Sequence, residues 1–481
     1  MTTSGIILTT LVVYNIALLA IGWWATARNR SEVDYFLGGR GVGPFVAGLS
    51  YAASTSSAWV FLGFSGFVYT LGLSALWMVP GIWAGYAVVW LFFGPRLRRE
   101  SRERNQVTLT DFLLEDARGP LRQVGAVVAA LLILVCFVFY IAAQFAAAGT
   151  ALVSHFPLGG STAVVLGAGI VVLYSLLGGF WAVSVTDTLQ AGVMMLASIL
   201  VPVAAVVAAG GVDATFDTLA QTMPPHYLSP GGPHTGLMLA GFLIGTIGMS
   251  LGALGQPHLL TRLMAVRGDS ARRQGFVITM SWGVVVYVGM VALGLSGRAL
   301  LPELANSEAL FYEAATSYLS PVFAGIVIAA TLSAVMSTVD SILLAAAGAV
   351  AHDMGVNARY PHRQVLASRL VMCVIAVVAV ALTLSLPDTI FNRVLFAWSA
   401  LGAAFGPIVL WRVLGRVVTA RGALAAMLAG FVTTVWFYWL GASPPTGDWM
   451  SVAAHLPGDP FERVVPWLPA LVALLSPLNR R

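Results

Sequence analysis

Residues 47–66 read AGLSYAASTSSAWVFLGFSG, an apolar stretch with four consecutive hydroxyl residues, Ser54 to Ser57, near its middle. A stretch of this length fits within a transmembrane helix, but hydroxyl groups and small residues make a poor surface towards lipid. Two interpretations follow from the residues themselves. Either the small side chains let neighbouring helices pack closely, or the helix is interrupted here and presents freed backbone carbonyls to a ligand.

The composition of the whole chain indicates a membrane protein. Of its 481 residues, 58% are hydrophobic and 9% are charged, against roughly 25% charged residues in ordinary soluble domains. Apolar segments long enough to cross about 30 Å of hydrocarbon recur from end to end. We therefore predict an all-α integral membrane protein in which residues 1–481 form a single transmembrane domain.

Thirteen segments are predicted to cross the membrane, and the last is the weakest. They are residues 6–24, 44–71, 74–94, 123–152, 161–178, 187–210, 237–261, 275–297, 321–350, 365–385, 389–414, 421–441 and 464–477. Alternate connections hold 22 arginines on one side and three on the other. Because cytoplasmic loops accumulate positive charge, the amino terminus is predicted outside and the carboxyl terminus in the cytoplasm of a bacterial inner membrane.

Two connections between these segments are long. Residues 98–118 hold the most charged stretch on the cytoplasmic side, which we interpret as a solvated linker with an interfacial helix around Leu109 to Leu114. Residues 211–236 contain several prolines and no arginine, and are predicted to form a loop with a short surface helix.

Several function classes are excluded by what the chain lacks. There is no lysine, which excludes a Walker A loop and a Schiff-base enzyme. No HExxH zinc pattern or nucleophile elbow occurs, so the protein is not predicted to be an enzyme. The net charge of +5 comes from arginines in short loops between apolar segments. We therefore expect the protein to be surrounded by lipid and to have no nucleic-acid partner. No obligatory protein partner and no disulfide are predicted.

A second weakened helix lies in segment 237–261. Four glycines between residues 245 and 255 lead into Gln256-Pro257-His258, and clustered glycine and proline weaken the helical hydrogen-bond ladder. The two weakened segments are the second and the seventh, as an inverted repeat of five helices would place them. We predict repeats over residues 44–210 and 237–414, with a binding site near the bilayer midplane.

Polar side chains at membrane depth mark the candidate site. A carboxylate such as Asp340 costs at least about 2.5 kcal/mol there, which favours a functional role; a protonated, hydrogen-bonded aspartate is the alternative. Asp187 follows the turn Gly178-Gly179-Phe180, and either caps the start of segment 187–210 or contributes to a cation site. Tyr140 and Gln144, one turn apart, either join helices or bind a solute.

Five motifs together carry a family resemblance. They are YFLGGR (35–40), GGF (178–180), TDTLQ (186–190), GQPH (255–258) and MST (336–338). Over nearly the whole chain the sequence resembles the sodium/solute symporter family, above all bacterial sodium/proline symporters. The resemblance implies a leucine-transporter-type fold of about 13 transmembrane helices, with segments 2–6 and 7–11 as two inverted five-helix repeats. It also implies Na+ as the coupling ion.

Two ion sites are implied by this resemblance. The first ion site, for sodium, would use the carbonyls of Ala53, Ser56 and Ala334 and the hydroxyls of Ser337 and Thr338. The second ion site would comprise Asp187, Asp340 and Ser341. Its two carboxylates suit a second sodium ion, or they share a proton, since close like charges raise the pKa of one of them.

The implied solute contacts depart in part from those of the proline carriers. The solute-binding residues would be Ser54, Ser57, Trp59, Tyr140, Gln144, Met249, Ala253 and Pro257. Proline carriers have an acidic residue at the position of Thr55, and tryptophan and tyrosine at the positions of Met249 and Ala253. Glu308 matches an acidic loop position of the family, and is either part of an outer gate or a solvated loop charge.

The predicted function is inward, sodium-coupled symport of a small organic solute by alternating access, with a proline-like amino acid as the expected solute. Two alternatives remain open. One is a proton-coupled symporter of a small organic acid. The other is a transporter-like membrane sensor module.

Overall fold

A computed structural model describes residues 3–26, 31–154, 156–176, 179–356, 364–386 and 389–479. The α-helices are α1 (Thr3–Thr26), α2 (Glu32–Leu37), α3 (Pro44–Ala58), α4 (Ser65–Leu71), α5 (Met78–Ala87), α6 (Gly94–Glu103), α7 (Leu109–Leu113), α8 (Pro120–Val153), α9 (Gly160–Ser175), α10 (Phe180–Ala208), α11 (Val212–Thr222), α12 (Gly236–Gly248), α13 (Pro257–Ala265), α14 (Asp269–Leu300), α15 (Leu310–Tyr318), α16 (Pro321–Gly348), α17 (Gln364–Ser385), α18 (Ile390–Val413), α19 (Ala420–Ala442), α20 (Trp449–Ala454), α21 (Pro460–Arg463) and α22 (Trp467–Leu475). Short 3₁₀ or π-helical turns join several of them.

Helices of membrane-spanning character account for most of the described chain. Within the described residues, nine helical stretches are long and apolar enough to span, and the first of them runs from Pro44 to Glu103 through two predicted segments. Two shorter apolar helices match the segments 6–24 and 161–178. The last predicted segment, 464–477, contains α22, whose nine residues are shorter than the about 20 that a spanning helix needs.

The start of α10 corrects the segment boundary at residue 187. The helix begins at Phe180, directly after Gly179 in an extended conformation, so Asp187 lies two turns inside it. The interpretation of Asp187 as a helix cap is therefore wrong. Residues 180–186 are mostly apolar or aromatic, and they continue the helix because nothing in them breaks it.

Two helices form the centre of the bundle. The apolar stretch of α16 is 83% buried and that of α18 is 89% buried, whereas those of α17 and α19 are 28% buried. The hydroxyls and the carboxylate of α16 therefore face protein and not lipid. A membrane protein can keep polar groups in such a buried position, provided that they find hydrogen-bond or charge partners.

The charged stretch 98–118 is partly the solvated linker that its composition predicted. Arg99, residues 102–105 and Arg118 are exposed, and the expected helix is present as α7. In α7, Leu109, Phe112 and Leu113 are buried, and Thr108 and Asp111 form a capping box at its start. The α18 side chain of Arg412 pairs with Glu100 and with Asp116, at 2.5 Å from the latter. This internal counter-ion lets the carboxylate of Glu100 be buried. The connection 211–236 does contain the expected short helix, α11.

Two of the long helices are broken, and both breaks are buried. In α3, Ser57 adopts φ 47° and ψ −174°, outside the helical region. The helix α12 continues as a 3₁₀ segment, Met249–Gly255, and Gln256 is extended before α13 begins. Of the two interpretations of residues 47–66, interruption is correct. Close packing accompanies the second break, where a Cβ on Gly402 would lie 2.6 Å from the Cα of Gly252.

Candidate ion and solute site

The break in α3 is held by a side chain from α8. The Ala58 N–H donates to Gln144 Oε1 at 3.2 Å, and the Trp59 N–H donates to Ser57 Oγ at 3.1 Å. These bonds satisfy backbone groups that the interrupted helix cannot. Gln144 thus joins two helices, as one of its two predicted roles requires. Its Nε2 is buried and has no hydrogen-bond partner among the described residues, so one donor remains available.

The five residues of the first ion site lie on α3 and α16, and both helices present them in the protein interior. The two helices touch here, since Ser54 Oγ donates to the Ser337 carbonyl at 2.9 Å and Thr338 Oγ1 donates to the Ser54 carbonyl at 3.4 Å. Ser337 Oγ donates to the Ala334 carbonyl at 3.2 Å. The predicted ligand set is thus a group of neutral oxygen atoms at one helix contact, which suits sodium.

The second ion site contains a residue that the sequence did not predict, Arg262 of α13. Its Nη2 donates to Asp187 Oδ2 at 2.9 Å, to Ser341 Oγ at 2.6 Å and to Ser54 Oγ at 2.5 Å. Its Nε donates to Ser50 Oγ at 2.9 Å. The Asp187 and Arg262 side chains are 0% and 3% exposed. The guanidinium therefore already binds Asp187 Oδ2 and Ser341 Oγ, whereas Asp187 Oδ1 is buried and has no hydrogen-bond partner among the described residues.

Asp340 is the less satisfied of the two carboxylates in the second ion site. Its Oδ1 accepts from Ser341 Oγ at 3.2 Å, and its Oδ2 has no hydrogen-bond partner in the described part of the chain. Asp187 in contrast accepts from Ser50 Oγ at 2.6 Å and from Arg262. The structure thus brings Asp187, Asp340 and Ser341 into one buried cluster, with Arg262 as its cation.

The role of Arg262 could have been found from one signal in the sequence. An aspartate at membrane depth needs a named partner, and Arg262 follows the weakened segment one helical turn after His258. We counted Arg262 with the loop arginines because it lies one residue beyond the predicted segment. Its long side chain instead reaches back into the bundle.

Several predicted solute-binding residues gather around the α3 break. Tyr140 lies within interaction range of Ser57 and Trp398, and its hydroxyl has no hydrogen-bond partner among the described residues. The Trp59 ring stacks on Phe391, with 5.8 Å between ring centroids and 23° between planes. These aromatic surfaces and polar atoms surround the point where the helix is open.

The remaining predicted solute-binding residues lie on other parts of the two broken helices. Met249 and Ala253 are buried in the 3₁₀ segment that packs against α18, and Pro257 is the first residue of α13. Ser54 belongs with the second ion site, because its hydroxyl contacts Asp187, Ser341 and Arg262. The structure therefore separates Ser54 from the residues at the break.

Two buried polar side chains near this region were missed as site residues. Neither ring nitrogen of His258 has a hydrogen-bond partner among the described residues, and its ring lies edge-on to Tyr140 at 6.2 Å. Gln256 Oε1 is likewise unpartnered, while its Nε2 donates to the Trp398 carbonyl at 3.5 Å. Both belong to the GQPH motif, so the motif itself was the signal.

A cavity leads away from the second ion site. It has a volume of about 30 Å³, and its lining includes His258, Arg262, Ser341, Thr108 and Asp353. Along this lining, Thr108 Oγ1 donates to Asp353 Oδ1 at 2.7 Å. The cavity thus lies between the buried guanidinium and the region where α7 meets the end of α16.

A histidine and two carboxylates lie in that region, where α7 meets the end of α16. His352 lies between Glu32 and Asp111, at 3.0 Å and 2.9 Å from their carboxylate oxygens. Burial opposes ionisation of Asp111, but the hydrogen bond from His352 and those from the Val107 and Thr108 backbone outweigh it and hold the pKa of that carboxyl below its usual value.

Glu308 is bound to backbone and is not a solvated loop charge. Its Oε2 and Oε1 accept from the N–H groups of Ile390 and Phe391, at 3.1 Å and 2.9 Å. These are the first two residues of α18, whose N-terminal dipole favours a negative charge. Glu308 therefore ties the loop before α15 to the central helix, next to the Phe391 ring that stacks on Trp59.

Comparison with known proteins identifies the family. The sequence pattern of the sodium:solute symporter family matches residues 35–430. The chain is 35% identical over 464 residues to a sodium/proline symporter of Escherichia coli strain K12, covering 92% of this chain and 90% of that protein. It is 33% identical over 455 residues to the osmoregulated proline transporter OpuE of Bacillus subtilis strain 168, with the same coverage.

A solved structure shows the same fold. It is the substrate-bound, outward-open state of a Na+-coupled sialic acid symporter, which matches with a TM-score of 0.78 and 17% identity over 97% of this chain and 96% of the other. The fold is thus of the leucine-transporter type with its inverted repeats, as predicted. The chain belongs to the sodium:solute symporter family, as a multi-pass membrane protein that moves a small solute with sodium as the coupling ion.

Proposed function

We propose that the solute is a small amino acid such as proline, and that it enters the cell with sodium by alternating access. The observation that carries this proposal is the buried break at Ser57, where Gln144 Nε2 and the Tyr140 hydroxyl have no hydrogen-bond partner among the described residues. Buried polar groups without partners are costly, so a ligand that supplies the partners is favoured. The relatives in E. coli and B. subtilis are named as proline transporters, which supports the same solute.

The chemistry around the break suits an amino acid. A carboxylate can accept from the Gln144 amide and the Tyr140 hydroxyl, beside the backbone N–H groups that follow the break at Ser57. The aromatic face of Trp59 and the ring of Pro257 offer apolar surface to a small side chain. Ser57 completes this proposed group, and Met249 and Ala253 set its size from the second broken helix.

In the proposed cycle, sodium in the first ion site ties α3 to α16. The ligands are the carbonyls of Ala53, Ser56 and Ala334 and the hydroxyls of Ser337 and Thr338. Since α3 also forms the solute group at Ser57, sodium binding stabilises the open helix, and the two affinities are coupled reciprocally. One sodium ion crossing 100 mV supplies about 2.3 kcal/mol, or roughly fifty-fold accumulation of the solute.

We further propose that Asp187, Asp340 and Ser341 form a second cation site. A sodium ion or a proton there competes with the Arg262 guanidinium, which contacts Asp187 and Ser341. The repeats are proposed to cover residues 44–210 and 237–414, which is supported by the break in the first helix of each. The solute leaves chemically unchanged, so the protein is proposed not to be an enzyme.

The protein is proposed to lie in a bacterial inner membrane with its amino terminus outside and its carboxyl terminus in the cytoplasm. The excess of arginines on one side supports this orientation, although six of those arginines, at positions 28, 30, 359, 363, 480 and 481, lie outside the described residues. A fluorescent protein fused to the carboxyl terminus is expected to fluoresce. A fused alkaline phosphatase that is active there would contradict the orientation.

Uptake by the purified protein in liposomes tests the proposed solute. We expect labelled proline or another small amino acid to accumulate when sodium is higher outside, and not when sodium is equal on both sides. A pH gradient without sodium is expected to drive no uptake. Uptake of a short organic acid driven by protons, or binding of solutes without any uptake, would overturn the proposal in favour of the two alternatives.

A further inference from the structure

A group of charged side chains joins three elements where α7 meets the end of α16. Glu32 belongs to α2, Asp111 to α7, and His352 and Asp353 to the π-helical turn Ala349–Asp353 that follows α16. One possible ligand atom each of Asp111, His352 and Asp353 lies within 4.8 Å of the others. The two repeats proposed above therefore meet here through side chains of types that bind metal ions.

His352 is oriented in the way that is usual for a metal-ligating histidine. Its Nδ1 lies 3.0 Å from Glu32 Oε1, and its Nε2 lies 2.9 Å from Asp111 Oδ2. A ligating histidine usually donates the N–H of one ring nitrogen to a carboxylate, which fixes the ring while the other nitrogen binds the ion. Glu32 can thus hold the ring, so that Nε2 faces the oxygen atom of a second carboxylate.

Asp353 is a buried carboxylate that lacks a partner for one of its oxygen atoms. The residue is 7% exposed, and its Oδ1 accepts from Thr108 Oγ1 at 2.7 Å. Its Oδ2 is buried and has no hydrogen-bond partner among the described residues, which is costly unless a ligand supplies one. The cavity of about 30 Å³ borders Asp353 and has room for about one water molecule or a small ion.

The charges of this group favour a cation. Glu32, Asp111 and Asp353 bring three carboxylates around one histidine. Arg122 adds a guanidinium at 3.5 Å from Asp111 Oδ1, but its side chain is 45% exposed. With the three carboxylates ionised, negative charge remains in excess even when His352 is protonated. A divalent cation can remove this excess without any further side chain.

We propose that Asp111, His352 and Asp353 bind a divalent transition-metal ion of the zinc class, with Glu32 holding the His352 ring. A ligand set of imidazole and carboxylates suits Zn²⁺ better than Mg²⁺ or Ca²⁺, which prefer oxygen ligands alone. Ligands of tetrahedral zinc lie roughly 3.4 Å apart, so the three atoms approach each other by at most about 1.4 Å. The ion replaces the proton between Nε2 and Asp111 Oδ2, and this proton is released to solution.

A bound ion holds α7 to the end of α16, across the two proposed repeats. The effect on transport, unlike the site itself, rests on the proposed function, because alternating access requires the two repeats to move against each other. An ion that binds only while Asp111 and His352 are in contact stabilises that state. At a metal concentration of 100 Kd, this state is favoured roughly 100-fold more than without metal.

The test counts zinc ions bound to the purified protein, from which any polyhistidine tag has been removed. Isothermal titration with zinc chloride is expected to give one ion per wild-type chain, also in the presence of excess Mg²⁺. His352→Ala and Asp353→Asn are expected to lose this binding. Glu32→Gln is expected to weaken it about 10- to 100-fold, because Glu32 orients a ligand and does not bind the ion.

A matched control comes from a histidine elsewhere in the chain. The ring nitrogens of His455 contact the carbonyls of Ser451 and Ser443, at 2.7 and 3.0 Å. His455→Ala is expected to bind one zinc ion, as wild type does. Variants are compared only as monodisperse proteins with an unchanged helical spectrum. Absence of zinc binding by the wild type would overturn the proposal, and so would wild-type binding by folded His352→Ala.

X-ray absorption of the zinc-loaded wild type tests the ligands without any substitution. The proposal expects one imidazole nitrogen and otherwise oxygen ligands, at about 2.0–2.2 Å from the ion. A spectrum without imidazole, or with two or more imidazoles, would place the ion elsewhere and overturn the proposal. This measurement decides the site even where a substitution prevents folding.

Uptake by the protein in liposomes tests the effect of the bound ion. With saturating zinc on both sides, wild-type uptake is expected to fall more than about tenfold and to recover when a chelator is added. His352→Ala is expected to keep its uptake. Equal inhibition of both proteins would overturn the effect on transport. Absence of wild-type uptake without zinc would instead contradict the proposed function, while the number of bound zinc ions still decides the site.

Discussion

The first and second ion sites share α16 and differ in their electrostatics. The first ion site, between α3 and α16, consists of carbonyl and hydroxyl oxygens with no charged side chain. The second, one turn further along α16, contains Asp187 and Asp340 and has Arg262 as its cation. In the proposed first ion site, neutral oxygens would bind a sodium ion and release it, because no full charge holds it. A carboxylate in a buried site needs a permanent counter-ion. The difference shows how a binding site and a fixed ion pair can lie side by side.

The largest effect is expected when the ion pair of the second ion site is broken. Asp187→Asn leaves the buried Arg262 guanidinium without its paired carboxylate, and we expect unfolding free energy to fall by about 3–5 kcal/mol. Thermal melting of the detergent-solubilised protein measures this as a lower Tm. Arg262→Gln/Asp187→Asn removes both charges and is expected to regain most of the loss. Asp269→Asn is the control, since its carboxylate is 41% exposed and should cost under about 1 kcal/mol. An equal Tm for the Asp187→Asn variant and wild type would contradict a stabilising ion pair in the second ion site.

The next largest effect is expected at the proposed first ion site. Ser337→Ala removes one hydroxyl ligand, and losing a bond to a charged partner costs about 1.5–3 kcal/mol. The sodium concentration for half-maximal uptake is therefore expected to rise roughly 10- to 100-fold, with little change in Tm. Thr331→Ala is the matched control, because that hydroxyl is buried on the same helix and bonds the Val327 carbonyl of its own helix. If both variants show wild-type sodium dependence, Ser337 is not a ligand.

A somewhat smaller effect is expected where a neutral side chain holds the α3 break. Gln144→Ala leaves the buried Ala58 N–H without its acceptor, at a cost of about 1–3 kcal/mol. We expect the KM for the solute to rise roughly 5- to 100-fold, because the open helix and one solute donor are lost together. Gln123→Ala, on the same helix but bonded to the Asp353 carbonyl, serves as the control. An unchanged KM in Gln144→Ala would separate the break from solute binding.

The smallest effect is expected for the charge of Glu308 at the N-terminus of α18. Glu308→Gln keeps an oxygen that can accept from the α18 backbone but removes the charge at that N-terminus, which is worth about 0.3–1 kcal/mol. Initial uptake rates are expected to change by less than about fivefold. Glu303→Gln, in the same exposed connection, should behave as wild type. A loss above tenfold in Glu308→Gln would mean that the charge itself controls gating.

Much of the candidate site could be predicted because its residues are unusual for their place in the membrane. Ser54 to Ser57 and Asp340 stand out in apolar surroundings, and a polar group in lipid needs an explanation. Arg262 did not stand out, because an arginine next to a segment end is what a loop normally contains. Asp187 was assigned to the start of a helix because the preceding glycines look like a turn, whereas the apolar residues after them extend α10 by two turns.

The sequence by itself determined the position and order of most apolar helices, the two weakened helices and the family motifs, since these depend on local composition and spacing. Only the tertiary structure decided that the α3 weakness is a true break held by Gln144. It alone also decided that Arg262 turns inward to Asp187, 75 residues away in the chain. Such pairings depend on which helices become neighbours, and a long flexible side chain can reach several of them. That choice is made by packing of the whole bundle.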